Sequence, residues 1–514
     1  MYLHCLSVLK CINLVIMIIR KCTNVVLVLL SAFMCYQAKA QMHPAEGDTL
    51  NYRLIGFSIP DNEPSAKYVL ELADGYYNNK VDFAKHIVLT QSANSNKQIA
   101  TVANWGKVYT WRISKANNKD KIKSYGNLQH FVTGSRYIAD TSLHKLQVVN
   151  ADQHHKDLYV FLDYSKAMYD TKGDVLWYLP DIPGIVDRHS NIRDLKPTSN
   201  GTLTFIYSRG IYEIDYDGNV IWQKQNNPVS KEDMIETYHH DFTKLDNGHY
   251  MVCGNELLTM PLDVDTAELN GLHIPMMKMV NGKANRRLSL GTIVELDENG
   301  KHVWEWKCSE HMMDDTVFLH KIPRSPNELN PHMNSFYFDQ KNNFVYISFK
   351  NPHHIIKVSY PSGKVVAKYN GAAYTPSLFL GQHAVRLNSN GDMILFNNNH
   401  KAFNSRNSEH TSYLGVYKEL PDGKLQKQWD YSCNIDTLAD PSCGAGGSMV
   451  ELPDGCYMGC VGAAGRVFIA SPDKKLIWNA VMMANDNGIW KTQEEYRASF
   501  VEKEALNKMI FNTK

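Results

Sequence analysis

The chain has 514 residues, with 54 Lys and Arg against 53 Asp and Glu, a size for one large domain or two rather than a single small core. The balanced charge, without an acidic or basic tail, gives no footing for a nucleic-acid partner. Aromatics at 11%, with 28 Tyr and 9 Trp, exclude a disordered composition and suit many short strands joined by polar turns.

Residues 1–40 carry Lys10, Arg20, Lys21 and Lys39 and no acid; an apolar run, Asn24 to Met34, follows the charged pair, and Ala38-Lys39-Ala40 sits at cleavage spacing. This predicts a secretory signal peptide removed before Gln41, with a retained membrane anchor as the alternative. The expected product is periplasmic or secreted, has no stable membrane insertion after leader removal, and occupies a compartment that permits disulfides. Beyond the leader stand Cys253, Cys308, Cys433, Cys443, Cys456 and Cys460. Cys433 and Cys443 flank a loop with Asp440-Pro441 and are the best candidate pair. Cys456 and Cys460 share one predicted strand, which would hold them about 13 Å apart, too far to bond. No Cys-x-x-Cys occurs, which argues against a thiolate zinc site.

Residues 41–115 include KYVLELA, HIVLTQS and KVYTWRI, which alternate at strand period and predict a small β-sandwich domain. From 116 to 485 a different rhythm runs six times: an apolar segment, a Gly/Asn turn, a second apolar segment, then two more strands around another Gly turn. Five of the copies end near Trp177, Trp222, Trp304, Trp429 and Trp478. Each copy predicts a four-stranded antiparallel sheet, and radial stacking is what buries both faces of such sheets. The predicted fold class is therefore all-β, a six-bladed β-propeller catalytic domain after a small N-terminal β-sandwich. The repeated Trp reads as packing between neighbouring blades. Residues 486–514, with TQEEYRASFVEKEALNKMI, have helical spacing and predict a helical tail outside the propeller.

With the strands of a blade lettered A to D from axis to rim, the A–B turns (246–248, 388–391, 453–455) and C–D turns (215–219, 297–300, 361–363) are short. The insertions 256–289, 308–331, 400–411 and 431–446 fall on the opposite face, where loops on a rigid scaffold commonly carry function. Aligned on their A strands, Tyr238-His239-His240-Asp241, His332-Met333-Asn334-Ser335, Gln382-His383 and Gly447-Ser448 ring one mouth there, with His189-Ser190-Asn191 from the second blade and Lys350-Asn351 closing a B strand. His240, His332 and His383 supply a nucleophile, base or acid near neutral pH, and Asn334 and Lys350 can hold charge developing on oxygens. His353, His354 and His400 read as packing or surface histidines. The three mouth histidines with Asp241 could instead hold a metal, but no His-Glu-x-x-His motif is present and Lys350 would oppose a cation. Gly444-Ala445-Gly446-Gly447 lacks a following Lys-Ser/Thr and is not a nucleotide loop.

Over roughly 120–480 the chain resembles the bacterial arylsulfate sulfotransferase family, the PAPS-independent kind. The resemblance is carried by Tyr238-His-His-Asp-Phe, by His332-Met-Asn-Ser with Lys350-Asn351, and by Gln382-His383 followed by Leu395-Phe396-Asn397. It implies transfer of a sulfuryl group from an aryl sulfate donor to a phenol acceptor through a sulfohistidine, without metal or other cofactor. By the family pattern His383 is the nucleophile and His240 the acid or base. His332, Asn334 and Lys350 grip the sulfuryl oxygens, with Ser448, Asn351 and Tyr238 as further substrate-binding candidates. The family commonly has Arg where this chain has Lys350, which keeps the charge and loses the planar fork. The loop from Ala373 to Leu380 and the insertion with Met276, Met277 and Met279 are candidate walls for the aryl ring. A homodimer is possible. The rival readings are a non-catalytic propeller that binds a glycan or protein, a metal-dependent propeller hydrolase or quinone-dependent dehydrogenase, and a sulfatase in which water takes the sulfuryl group.

Overall fold

The computed structural model describes residues 42–60, 63, 66–151, 154–208, 210–225, 238–261, 277–280, 283–315, 330–400 and 410–512. The expected signal peptide lies outside the described residues. Among them, no helix is long and apolar enough to cross a membrane.

The N-terminal part forms one sheet in the order Asp48–Leu50, Gln129–Thr133, Val108–Ala116, Lys67–Asp74, Ile87–Ala93, with Ile122–Ser124 at its side, and a two-stranded pair of Leu54–Ser58 with Lys97–Thr101. Phe57 of the pair packs edge-on to Trp111 and Phe131 of the larger sheet. Gln129–Thr133 thus joins this sheet from beyond residue 115.

The remainder is a series of antiparallel meanders. The second sheet is Arg193–Pro197, Leu203–Tyr207, Gly210–Ile214 and Val220–Gln225, and the fourth is Met333–Asp339, Phe344–Phe349, His354–Ser359 and Val365–Asn370. The fifth is His383–Leu387, Met393–Asn397, Tyr413–Glu419 and Leu425–Ser432. The third begins at His239–Lys244 and carries a long hairpin in which Tyr250–Pro261 pairs with Lys283–Leu296. The insertion expected as a loop is thus partly strand; its tip at 262–276 lies outside the described residues. The sixth runs Ser448–Glu451, Tyr457–Val461, Arg466–Ala470 and Leu476–Asp486, and His144–Asn150 pairs to its last strand. Second and third strands such as Tyr457–Val461 and Gly210–Ile214 are buried throughout, whereas last strands alternate, as in Val220–Gln225. That is the pattern of sheets covered on both faces with an outer edge in water. Turns such as Asp246-Asn247-Gly248 close because Gly248 takes φ +89°, which a side chain would resist.

The first sheet corrects the expected helical tail. Its members are Leu158–Leu162, Ala167–Asp170 and Val175–Tyr178, and its innermost strand is Ala498–Glu502, from the far end of the chain. Ile489–Thr492 is also a strand, and helix is confined to Lys503–Asn512, whose Leu506, Met509 and Ile510 are buried. The strand forms because Ala498 and Val501 bury between flanking sheets; helical spacing over the whole segment is overridden by tertiary pairing.

Tryptophans on the last strands of every sheet but the fourth tie that sheet to the next. The Trp177 indole N–H donates to the Tyr216 carbonyl, Trp222 to Glu298, Trp304 to Pro361, Trp429 to Pro472 and Trp478 to Thr171, all at 2.7–3.0 Å. The last of these runs from the sixth sheet to the first. Innermost strands of successive sheets also touch, and Ser448 of the sixth meets the Ala498 backbone of the first. The architecture is all-β and propeller-like.

Candidate functional site

The innermost strands of the second to fifth sheets share a local irregularity. The ladder breaks between Arg193 and Lys196, His239 and Phe242, Met333 and Ser335, and His383 and Arg386. At or beside these bulges, Asp194, His240, His332 and Ala384 adopt φ of 58°, 60°, 57° and 53°. Left-handed backbone at such residues costs on the order of 1–3 kcal/mol and persists only where the surroundings enforce it; a bulge turns side chains away from the regular alternation. At His332 the enforcement is visible. Its N–H donates to Asn330 Oδ1 (2.7 Å), its carbonyl accepts from the Lys350 N–H (2.9 Å), and Asn351 Nδ2 donates to the Asn330 carbonyl (2.7 Å).

The register revises the alignment of the mouth. His383 matches His239 and Arg193, each the last paired residue before its break, and His240 matches Asp194 and Ala384. His240, His332 and His383 therefore do not all meet from equivalent positions. They do meet: the His240 and His332 rings lie edge to face with centroids 5.2 Å apart, and the charge of Lys350 acts on both His332 and His383. His239 joins them, Nδ1 to Nδ1 with His240 at 2.6 Å, so one of the two nitrogens carries the shared proton. In the second sheet it is Arg193, not His189, that faces the group. Its guanidinium sits 4.9 Å above the Tyr496 ring, and its charge acts on His239, His240 and His332. His189 is exposed.

Burial sets the protonation states. Desolvation first, then neighbouring cations, lowers His332 to about 3 and His239 to about 4. The same causes hold His240 and His383 well below the ordinary value. Burial also depresses Lys350, whose Nζ donates to the Gly444 carbonyl at 2.8 Å. Near neutral pH the imidazoles are neutral.

The hydrogen bonds of His383 fix its tautomer. Nδ1 lies 2.7 Å from Asn398 Oδ1 and 3.1 Å from the Gly381 carbonyl. Asn398 commits its amide to the Cys443 and Gly446 carbonyls, so its oxygen must accept. Both neighbours of Nδ1 are acceptors; Nδ1 carries the hydrogen and Nε2 keeps its lone pair. His353 stands behind this arrangement, accepting the Gly381 N–H at Nδ1 (2.8 Å).

Beneath the histidines lies a buried ionic layer. Arg497 bridges Asp194 (2.9 Å) and Asp241 (3.2 Å) and donates to the Asn334 carbonyl (2.8 Å); Lys196 and Arg386 also pair with Asp241. Burial would raise Asp241, but Arg386, Lys196 and Arg497 hold it far below the usual carboxylate range. Asn334 is a brace in this layer: its amide donates to the Gln382 carbonyl at 2.6 Å, next to His383. Beyond the layer a cavity of about 360 Å³ is lined by Lys196, Lys244, Arg386 and Ser448 among others.

The other candidates fall elsewhere. The Ser448 hydroxyl bonds the Ala498 backbone. Tyr238 is buried with Ile206, Ile211 and Phe242 between the second and third sheets. Phe379, expected in an aryl wall, packs against Tyr417 in the core. Met276 lies outside the described residues, as do the side chains of Met277 and Met279. Cys433 and Cys443 are free thiols, the latter donating to the Ala445 carbonyl at 2.9 Å; the expected disulfide is corrected.

Arg193, Asn398, Tyr496 and Arg497 were missed in the sequence, and His239, placed at the mouth with its motif, was given no role of its own. Asn398 adjoins a motif in plain view. Tyr496 and Arg497 belong to a strand that only long-range pairing reveals.

The arylsulfotransferase family model, ASST, matches residues 144–433. Among curated proteins no match is found. Solved structures that are similar in part include a protein of unknown function from Bacteroides caccae, 12% identical with a TM-score of 0.41 over 67% of this chain and 98% of that one. Another is a catalytically inactive virginiamycin B lyase from Staphylococcus aureus with quinupristin, 10% identical with a TM-score of 0.36 over 70% and 99%.

Proposed function

The chain belongs to the arylsulfotransferase family, and we propose that it moves a sulfuryl group from an aryl sulfate to a phenol through a sulfohistidine at His383. The observation that carries this reading is the state of His383: neutral, with Nδ1–H held by Asn398 and Gly381 and the Nε2 lone pair unshared with a proton. That is the form of imidazole that attacks an electrophile.

In the first half-reaction the Nε2–S bond forms and the S–O(aryl) bond breaks, the aryl oxygen keeping the electron pair. The sulfuryl oxygens take hydrogen bonds from Lys350, and Arg193 adds a second cation on the far side of the histidine group. In the second half-reaction the acceptor oxygen attacks sulfur as its proton passes to His240, and the N–S bond returns its pair to Nε2. The phenolate released first takes up that proton, so charge and protons balance. His240 serves as base and hydrogen-bond donor rather than as a resting imidazolium, because burial, then His239 and His332, disfavour its charged form. Asn334 and Asn351 act as positioning residues, through Gln382 and Asn330. Lys350 stands where the family commonly has Arg.

We further propose that the meanders close as a six-bladed β-propeller through Ala498–Glu502, that the N-terminal sheets form a small sandwich, and that the mature protein acts outside the cytoplasm. The test of function is 4-nitrophenyl sulfate with and without a phenol acceptor, chelator present. Nitrophenolate release that depends on acceptor, and is lost in His383→Ala, is expected. Release that survives His383→Ala contradicts the proposal.

A further inference from the structure

Far from the axial histidines, His155, Asp454 and Cys456 bring one nitrogen, one oxygen and one sulfur donor within 4.8 Å of one another. We propose that these three residues form a zinc site that staples the first sheet to the sixth. The residues come from two segments. His155 precedes Leu158–Leu162, which pairs with the chain's last strand. Asp454 and Cys456 flank Gly455 in the turn between the first two strands of the sixth sheet. The chain has no Cys-x-x-Cys; the donors converge here through folding, which no local motif records.

The geometry suits the ion. His155 Nε2 already lies 3.0 Å from an Asp454 carboxylate oxygen. The other Asp454 oxygen accepts the Cys456 N–H at 3.0 Å, which keeps carboxylate and thiol on one side of the turn, and Gly455 at φ +83° permits that turn. Tetrahedral ligands about 2.0–2.3 Å from zinc lie about 3.3–3.8 Å apart, so donors as far as 4.8 Å apart close by at most about 1.5 Å, while the His155–Asp454 pair opens slightly from 3.0 Å. Cys456 is 8% exposed, and a cavity of about 610 Å³ beside it in sequence and space is lined by its two partner ligands, His155 and Asp454, together with His154 and Glu502. The cavity gives the ion a path, and His154 or water can supply the fourth donor. A mixed N, O, S set favours a borderline cation such as zinc over magnesium or calcium. Binding releases the Cys456 proton to solvent and involves no change of oxidation state.

The location gives the site its purpose. First and sixth sheets meet where the two ends of the repeat series come together, and nearby Lys503 pairs with Asp157 at 3.0 Å. A metal there fastens that junction independently of catalysis.

The test uses the purified whole chain, stripped with chelator and titrated with Co(II) as a spectroscopic stand-in and then with Zn(II). The expected results are one equivalent bound with a thiolate-to-cobalt charge-transfer band, loss of the band in Cys456→Ser, at least tenfold weaker binding in His155→Ala and Asp454→Asn, and a band unchanged in His383→Ala. Zinc should also raise the melting temperature of the parent and not of Cys456→Ser. No thiolate band, or a band that persists in Cys456→Ser, overturns the proposal. His383→Ala keeps this result separate from the fate of the sulfotransfer reading.

Discussion

At the scale of single residues, the proposed chemistry turns on which nitrogen of the His383 imidazole holds the hydrogen. Asn398 decides it, because its own amide is spent on two carbonyls and leaves only an acceptor facing His383. Asn398→Ala frees the ring to rotate and to exchange tautomers. We expect kcat to fall about a hundredfold, the scale set by misplacing a reacting group, with KM for the donor little changed; an unaltered kcat would exclude the positioning role. The histidines were legible in sequence because paired and motif-bound histidines stand out at blade starts. Their equivalence was misjudged because bulges at His240 and His383 displace the register, which alternation alone does not disclose.

At the scale of elements, Ala498–Glu502 connects fold to site. The Asp163 carboxylate accepts the backbone N–H groups of Tyr164, Asp194, Tyr496 and Arg497, and so locks the start of this strand to the second sheet. Arg497 then holds Asp194, Asp241 and Asn334 together. Arg497→Met leaves two buried carboxylates short of a cation, and breaking a buried network of this kind costs about 3–5 kcal/mol. A matching drop in the urea unfolding free energy is expected; a variant as stable as the parent would show that Lys196 and Arg386 suffice. The meanders themselves were plain in sequence, since each repeats the same alternation and turn chemistry. The last strand was not: Thr492 to Ile510 has helical spacing, and its strand half becomes one only by pairing with Leu158–Leu162, more than three hundred residues away.

At the scale of the whole molecule, gathering neutral histidines in one interior makes the fold sensitive to acid. His239 and His332 are lowered to about 4 and about 3, against an ordinary value near 6.5. In that window the unfolded chain binds protons that the folded chain refuses, so stability falls as pH drops from about 6.5 toward 3. Melting temperatures measured across this range should decline, and less steeply in His332→Gln than in the parent. Equal slopes would mean that His332 is not held neutral.

The most direct measurement of the central claim is the mass of the protein after a brief exposure to 4-nitrophenyl sulfate with no acceptor. The account predicts a gain of one sulfuryl group, confined to the peptide that carries His383 and removed on adding phenol. A group found on another residue, or no gain while nitrophenolate is being released, would contradict it.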